Sequence, residues 1–197
     1  MLALMLLLGG CSMLQKTAPA IDWEQRRSAL LQLDEWAMRG RIAVRDAAGQ
    51  GGQASLSWQQ QAEQSELWLA GPFGAGGVQL TVAPGRVSLR APDNVPQIDY
   101  TGPDAAERLM RDHLGWSFPV LSARYWIRGL LDPAAVGDRQ FGEAGELRGL
   151  AQHGWTVSFE RFAEFDGHWL PVKLVLENTE LRLKAVVSDW STGARLD

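Results

Sequence analysis

The sequence predicts a mainly β fold: an antiparallel meander, apolar along one face, with two short helices as a cover. Three observations carry this. Apolar and polar residues alternate from Trp36 to Leu89 and again from Trp155 to Val187, the period of two that half-buried strands impose. Between these blocks the period changes twice, briefly, to that of amphipathic helices. Gly, Pro and Asn punctuate the alternating runs at hairpin spacing.

The chain opens on an apolar run, Met1 to Leu8, that ends in Leu8-Gly9-Gly10-Cys11. A short apolar segment closing on small residues is a secretory leader rather than a membrane span, because it is too short to cross a bilayer as a helix. Residues 1–10 are therefore expected to be removed; the Leu-small-small-Cys pattern resembles a bacterial lipobox, and that resemblance implies that Cys11 becomes the first residue. Residues 11–21 are small and polar with Pro19 and read as a tether. About ten residues at ~3.3 to 3.6 Å each reach roughly 35 Å. Residues 22–197 are then one globular domain, with no internal repeat and no second boundary.

Asp22 and Gln25 have the spacing of a capping box, and Trp23, Arg27, Leu30 and Leu31 recur at helical intervals, predicting a first helix to about Leu33. From Glu35 the pattern alternates. Trp36, Met38, Gly40, Ile42 and Val44 share one face of a strand, with Arg39, Arg41 and Arg45 on the other. Gly49 to Gly52 makes the turn; a strand follows it, so no helix N-terminus is there to receive a phosphate. Ala54, Leu56 and Trp58 face inward on a second strand, Leu67 and Leu69 on a third, Val78, Leu80 and Val82 on a fourth, Val87 and Leu89 on a fifth. A meander apolar on one face throughout must curl or be covered.

Gly71-Pro72-Phe73-Gly74 opens a Gly-rich loop between the third and fourth strands. Phe73 at its tip has few neighbours to bury it, and either stands exposed or folds back onto the sheet edge. After Arg90, Thr101 and Asp104 offer caps for a helix bearing Ala106, Leu109, Met110 and Leu114 on one face and ending at Gly115. Pro119 suits the first turn of another, with Val120, Ala123, Trp126 and Ile127 on its apolar side. Residues 131–145 read as loop. Three strands then finish the sheet, around Trp155 to Phe159, Leu170 to Leu176 and Leu181 to Val187, with Asn178 and Thr179 in the last hairpin.

Composition narrows the function classes. A formal net charge of -4 carries no basic footprint, so no nucleic-acid partner is expected. The single cysteine excludes a disulfide framework and a cysteine-based zinc site. There is no HExxH, no GxSxG and no Walker loop, and His113, His153 and His168 lack ligand spacing. An enzyme is not expected, although a single sequence does not show which carboxylates converge. The 9 Trp are spread from Trp23 to Trp190. Large rings such as Trp58, Trp126 and Trp155 serve a packed core or line a pocket for an apolar guest, and periodicity allows both.

Taken together, several motifs resemble the LolB family of proteobacterial outer-membrane lipoprotein receptors. They are the lipobox ending in Cys11 with Ser12 after it, Trp36-Ala37-Met38-Arg39-Gly40-Arg41-Ile42-Ala43, Gly71-Pro72-Phe73-Gly74, Tyr125-Trp126-Ile127-Arg128-Gly129, Gly154-Trp155-Thr156-Val157, Leu170-Pro171 and Asp189-Trp190. The resemblance runs over nearly the whole chain, and the order and spacing of the motifs carry it. It implies a strongly curved antiparallel sheet, an incomplete or half β-barrel of the LolA/LolB kind, with helices as a lid over an apolar cavity.

The resemblance also implies a role. Cys11 would carry diacylglycerol and an N-acyl chain, and Ser12 in place of Asp would direct the protein to the outer membrane, facing the periplasm. There it would accept triacylated lipoprotein cargo from a LolA-like periplasmic carrier and insert it into outer-membrane lipid. It would work as a monomer and need no cofactor or metal. Phe73, flanked by Pro72 and Gly74, matches the position where the family usually has an exposed Leu that promotes insertion. The expected acyl-chain wall is drawn from the apolar faces: Trp36, Ile42, Val44, Leu56 and Trp58 on the first two strands, then Leu67, Leu69, Val78 and Leu80. From the cover come Met110, Leu121, Trp126 and Ile127, and from the later strands Trp155 and Val157. The rival expectations are a lipid-anchored binding protein for another hydrophobic ligand and an anchored envelope hydrolase.

Overall fold

Eleven strands form one antiparallel sheet whose first and last strands lie side by side at its centre. The computed structural model describes residues 23–71, 76–91 and 96–193. Helix α1 (Trp23–Leu31) precedes β1 (Glu35–Asp46), β2 (Gly51–Gln61), β3 (Gln64–Ala70), β4 (Val78–Ala83), β5 (Arg86–Arg90) and β6 (Ile98–Thr101). Helices α2 (Ala105–Leu114) and α3 (Val120–Trp126) follow, then β7 (Gly137–Phe141), β8 (Leu147–Gln152), β9 (Trp155–Phe165), β10 (His168–Glu177) and β11 (Leu181–Thr192). Strand order is β6-β5-β4-β3-β2-β1-β11-β10-β9-β8-β7, so β6 and β7 are open edges and the barrel is incomplete.

This order explains where the helices lie. Neighbouring strands twist in one sense, and a sheet this wide curls rather than staying flat. The chain leaves one edge at β6 and must reach the other at β7. The connection that makes this crossing carries α2 and α3, and it passes over the hollow of the curl, where inward residues such as Leu67, Leu80, Leu174 and Leu183 would otherwise face water. The mainly β, helix-covered half-barrel expected from the sequence is the architecture observed.

Three strands were not foreseen. Residues beyond Arg90 were expected to turn helical at once, with Thr101 as a cap; instead Ile98 to Thr101 form β6, pairing with β5 through Leu89 and Ile98. Asp104 stands at the α2 N-cap position without a side-chain cap bond, and its carboxylate lies 3.7 Å from Arg108. The span 131–145 was expected as loop but contains β7, Gly-Asp-Arg-Gln-Phe, an edge strand whose polar residues hide the alternation. β8 was missed for a related reason: Gly149 and Gln152 are buried where apolar residues were sought. Helix α1 ends at Leu31, and Gln32 and Leu33 continue it only as single turns, their N–H groups reaching Ala29 and Leu30 carbonyls at 3.3 and 3.4 Å. Asp22, proposed as its cap, lies outside the described residues.

Two aromatic clusters brace the hollow. Trp36 sits between Trp58 and Trp190, with centroids 5.6 and 5.5 Å away, and Trp190 donates its indole N–H to the Pro171 carbonyl at 3.0 Å. Across the sheet Trp155 meets Phe118 at 5.3 Å and Trp126 at 6.4 Å.

Candidate functional site

Between those clusters, under the cover, the hollow keeps a cavity of about 60 Å³. Its floor is the inward face of the central strands: Met38 and Ile42 from β1, Leu56 and Trp58 from β2, Leu67 and Leu69 from β3, Leu80 from β4. Leu174 and Leu176 of β10 and Leu183, Ala185 and Val187 of β11 complete it. Met110 of α2, Trp116 and Phe118 of the connection, Val120 of α3 and Ile127 close it from above. No polar atom reaches the wall. A cavity of this kind stays dry and offers a guest dispersion and burial but no hydrogen bond.

Its volume equals the liquid share of about two water molecules, far below the ~300 Å³ and more of ordinary ligand pockets. The space is thus too small for long apolar chains, and such a guest enters only when part of the cover moves. The two helices are held very differently. Behind α3, the Gln152 amide is fully used: its Oε1 accepts from Trp126 Nε1 at 2.7 Å and from the Asp132 backbone N–H at 2.9 Å. Its Nε2 donates to the Asp132 and Ala135 carbonyls at 2.9 and 2.8 Å. Ser122 Oγ donates to Asp132 Oδ2 at 2.7 Å. These groups are buried, so breaking them leaves unpaired polar atoms.

Arg128 ties the same end to α1. Its guanidinium donates to the carbonyls of Leu30 (2.8 Å), Leu33 (3.2 Å) and Arg124 (3.0 Å) and lies over the Trp36 and Tyr125 rings. Burial pushes its pKa down to about 10, which leaves it charged at neutral pH. Helix α2 has weaker ties at exposed positions: Arg108 donates to the Thr101 carbonyl at 2.7 Å, and the Tyr100 hydroxyl to Asp112 at 2.8 Å. Gly115 ends it in the left-handed conformation, φ 76°, which a side chain would strain.

The expected wall residues divide. Ile42, Leu56, Trp58, Leu67, Leu69, Leu80, Met110 and Ile127 line the cavity. Trp36, Val44, Val78, Leu121, Trp126, Trp155 and Val157 do not. Trp36 is screened by Trp58 and Trp190, and Trp126 is turned toward Gln152 by its indole bond. Trp155 packs on Phe118, and Val157 is wholly buried in the core of β9. Val44, Val78 and Leu121 are half-buried and off the wall. Met38 and the β10 and β11 residues were legible as inward-facing; what alternation did not reveal is which inward positions stand beneath the cover. Trp116 and Phe118 lie between the helices, where no period marks them. Cys11, Ser12, Pro72, Phe73 and Gly74 lie outside the described residues.

No cluster of His, Cys, Asp or Glu suited to a metal ion occurs among the described residues. No described helix is long and apolar enough to cross a membrane.

Comparison with known proteins matches the chain to a family. Residues 34–190 match the sequence profile of the family described as "Outer membrane lipoprotein LolB". The chain is 35% identical over 195 residues to the outer-membrane lipoprotein LolB of Nitrosococcus oceani, covering 96% of this chain and 94% of that protein. Among solved structures it is similar to a DUF1329-family protein from Desulfovibrio piger, with TM-score 0.55 and 7% identity, covering 88% of this chain and 91% of the other. A LolA-superfamily protein from Nitrosomonas europaea follows at TM-score 0.51 and 8% identity, covering 84% and 89%. At such identities the structural likeness concerns the fold alone.

Proposed function

The chain belongs to the LolB family of outer-membrane lipoproteins, and from that premise we propose that it is a receptor that takes lipoproteins from a LolA-like periplasmic carrier and places them in the outer membrane. The observation that carries this reading is the wall of the cavity, apolar throughout and roofed by a connection that is only partly anchored. Such a wall recognises acyl chains by exclusion from water, at ~0.8 kcal/mol per methylene buried, and is indifferent to the protein that carries them. Broad cargo tolerance follows. With no polar group on the wall, release costs no hydrogen bond, so the chains can leave once a more favourable apolar phase is offered.

Transfer needs no cofactor and no nucleotide. A guest moves from carrier to receptor to bilayer if each holds it better than the last, because only a difference in affinity shifts an equilibrium. Opening is assigned to α2 and the segment Gly115 to Pro119, since α3 is pinned through Gln152 and Arg128. Acylation at Cys11 would keep the domain at the membrane, more than one chain being needed for stable anchoring, and Ser12 would sort it outward. Phe73, in the sequence between β3 and β4, would enter lipid as cargo is delivered.

The test is transfer of a labelled lipoprotein from its periplasmic carrier to the Cys11→Ala chain, followed by addition of liposomes. Cargo is expected first on this protein and then in the vesicles. Cargo that stays with the carrier overturns the receptor reading, and uptake of free fatty acid without uptake from the carrier marks a binding protein for some other ligand.

A further inference from the structure

The outer face of the sheet carries a feature that the cavity does not use. Trp68 on β3 is 46% exposed and Val186 on β11 is 41% exposed. Register places Asp189, Arg39, Ser57 and Trp68 in one cross-strand row, and Val186, Arg41, Ser55 and Ala70 in the next. Residues directly opposed across strands share a face, so these side chains stand together on the convex side. They border an open groove of about 630 Å³ whose wall holds two arginines, three serines, Trp68 and Val186; Asp189 opposes Arg39, and Arg41 faces Val186 and Ser55 with no acidic partner across the strands.

Positive charge continues along the same strands. Arg45 on β1 and Lys184 on β11 are exposed at alternate positions beyond the groove, and neither they nor Arg41 form an ion pair among the described residues. In a chain of net charge -4 this is a local reversal of sign. The indole of Trp68 lies down against the backbone where the β3–β4 connection rejoins the sheet. A Cβ built on Gly77 would come within 2.6 Å of its ring, so that glycine makes the room.

We propose that this face docks on the anionic phospholipid surface of the membrane, with the Arg41 and Arg45 guanidinium groups and Lys184 meeting lipid phosphates and Trp68 lodged at headgroup level. Guanidinium matches phosphate oxygens in a forked geometry, and tryptophan is the side chain that prefers the boundary between headgroups and acyl chains. An acidic protein surface would satisfy the same groups, tryptophan and arginine being frequent at protein interfaces; the lipid surface is chosen because the chain belongs to a family of outer-membrane lipoproteins. The proposal rests on the receptor reading only in that the chain works at a membrane. Docked by its convex face, the domain would turn its helical cover toward the periplasm, where cargo arrives.

The acylated full chain, reconstituted in vesicles of phosphatidylcholine alone or mixed with phosphatidylglycerol, tests this with brominated lipids as quenchers. Subtracting the signal of Trp68→Phe isolates that indole. Quenching of Trp68 is expected in anionic vesicles, weak in neutral ones, and reduced by salt, which screens exposed charges. The Arg41→Glu/Lys184→Glu chain should lose it, its docked-to-undocked ratio falling roughly tenfold or more, each surface cation near anionic lipid being worth about fivefold. Its unchanged melting would show that it folds, and the salt series on the unaltered chain needs no variant.

Equal quenching in both vesicle types, or none from Trp68, overturns the proposal. If the charge-reversed chain instead loses uptake from the carrier while Trp68 remains unquenched, the face is a protein dock and the lipid assignment fails. Cargo transfer by the unaltered chain is measured separately, so failure of docking with transfer intact leaves the receptor reading standing.

Discussion

Among single residues, Gln152 does most to fix the cover. One buried amide satisfies an indole, a backbone N–H and two carbonyls from the segment after α3. Gln152→Ala is expected to destabilise the protein by ~3 kcal/mol, since a buried donor left unpaired costs ~1–3 kcal/mol and two are orphaned. Urea unfolding monitored by tryptophan fluorescence measures it. The two buried arginines contribute no pH dependence near neutrality. Arg26, sandwiched by Trp23 and Phe162 and donating to the Trp169 carbonyl, has its pKa lowered by burial to about 10, as does Arg128. Below pH 10 both are charged in folded and unfolded chains alike; only above about pH 10, where the unfolded chain still holds these protons, does stability rise with pH. Phe73 is the residue on which delivery is predicted to depend. Phe73→Glu should leave cargo uptake unchanged and slow delivery to liposomes on the order of tenfold, because a charge resists entry into lipid. Equal delivery rates for the two proteins would remove the wedge role.

For the strands, curvature depends on a close approach at the centre of the sheet. Register between β1 and β11 shifts at Arg39/Gly40, where a Cβ on residue 40 would meet the Val186 carbonyl at 2.4 Å. Irregularities of this kind bend a strand and sharpen its twist. Gly40→Ala is therefore predicted to cost ~2 kcal/mol through forced separation of the two strands, visible as a lower midpoint in denaturant. Farther along, Lys173 of β10 and Glu160 of β9 pair at 2.6 Å, and Lys173 holds the Glu160 carboxyl below its ordinary value of 4.5. A carboxylate whose folded pKa is depressed stabilises above its unfolded pKa, and loses that contribution as pH falls through the folded one. Glu160→Gln should thus change stability little at neutral pH, the pair being solvent-screened, and flatten the decline below about pH 4.5 in acid unfolding curves.

At the scale of the whole molecule, a sheet with two free edges is roofed by its own edge-to-edge connection. The roof closes on a dry space smaller than any acyl guest, so binding must be linked to opening. Filling that space should separate fold from function. Ala185→Leu, from the floor of β11, is predicted to keep stability within ~1.5 kcal/mol of the parent, because it adds apolar volume where about 60 Å³ is free. It should weaken displacement of a fluorescent fatty acid by roughly tenfold, the loss of room for about two methylenes. Unaltered displacement would place the guest elsewhere.

Much of this was legible in the chain itself. Alternation in β1 to β5 and β9 to β11 gave the faces as well as the strands, because one side of the sheet is buried and the other wet. The helical interlude and the family motifs were legible for the same reason: each is a local pattern. β6, β7 and β8 escaped because edge strands need little apolar residue, and their pairing partners supply the order. The wall of the cavity was decided by tertiary structure alone. Alternation shows that Trp36 and Trp58 both face inward, but only the curl of the sheet and the path from β6 to β7 set Trp58 against the hollow and seal Trp36 behind it. Sequence determines which side of a strand is apolar; the distance between strands and roof, which settles whether that side meets a neighbour or a space, is a property of the closed chain.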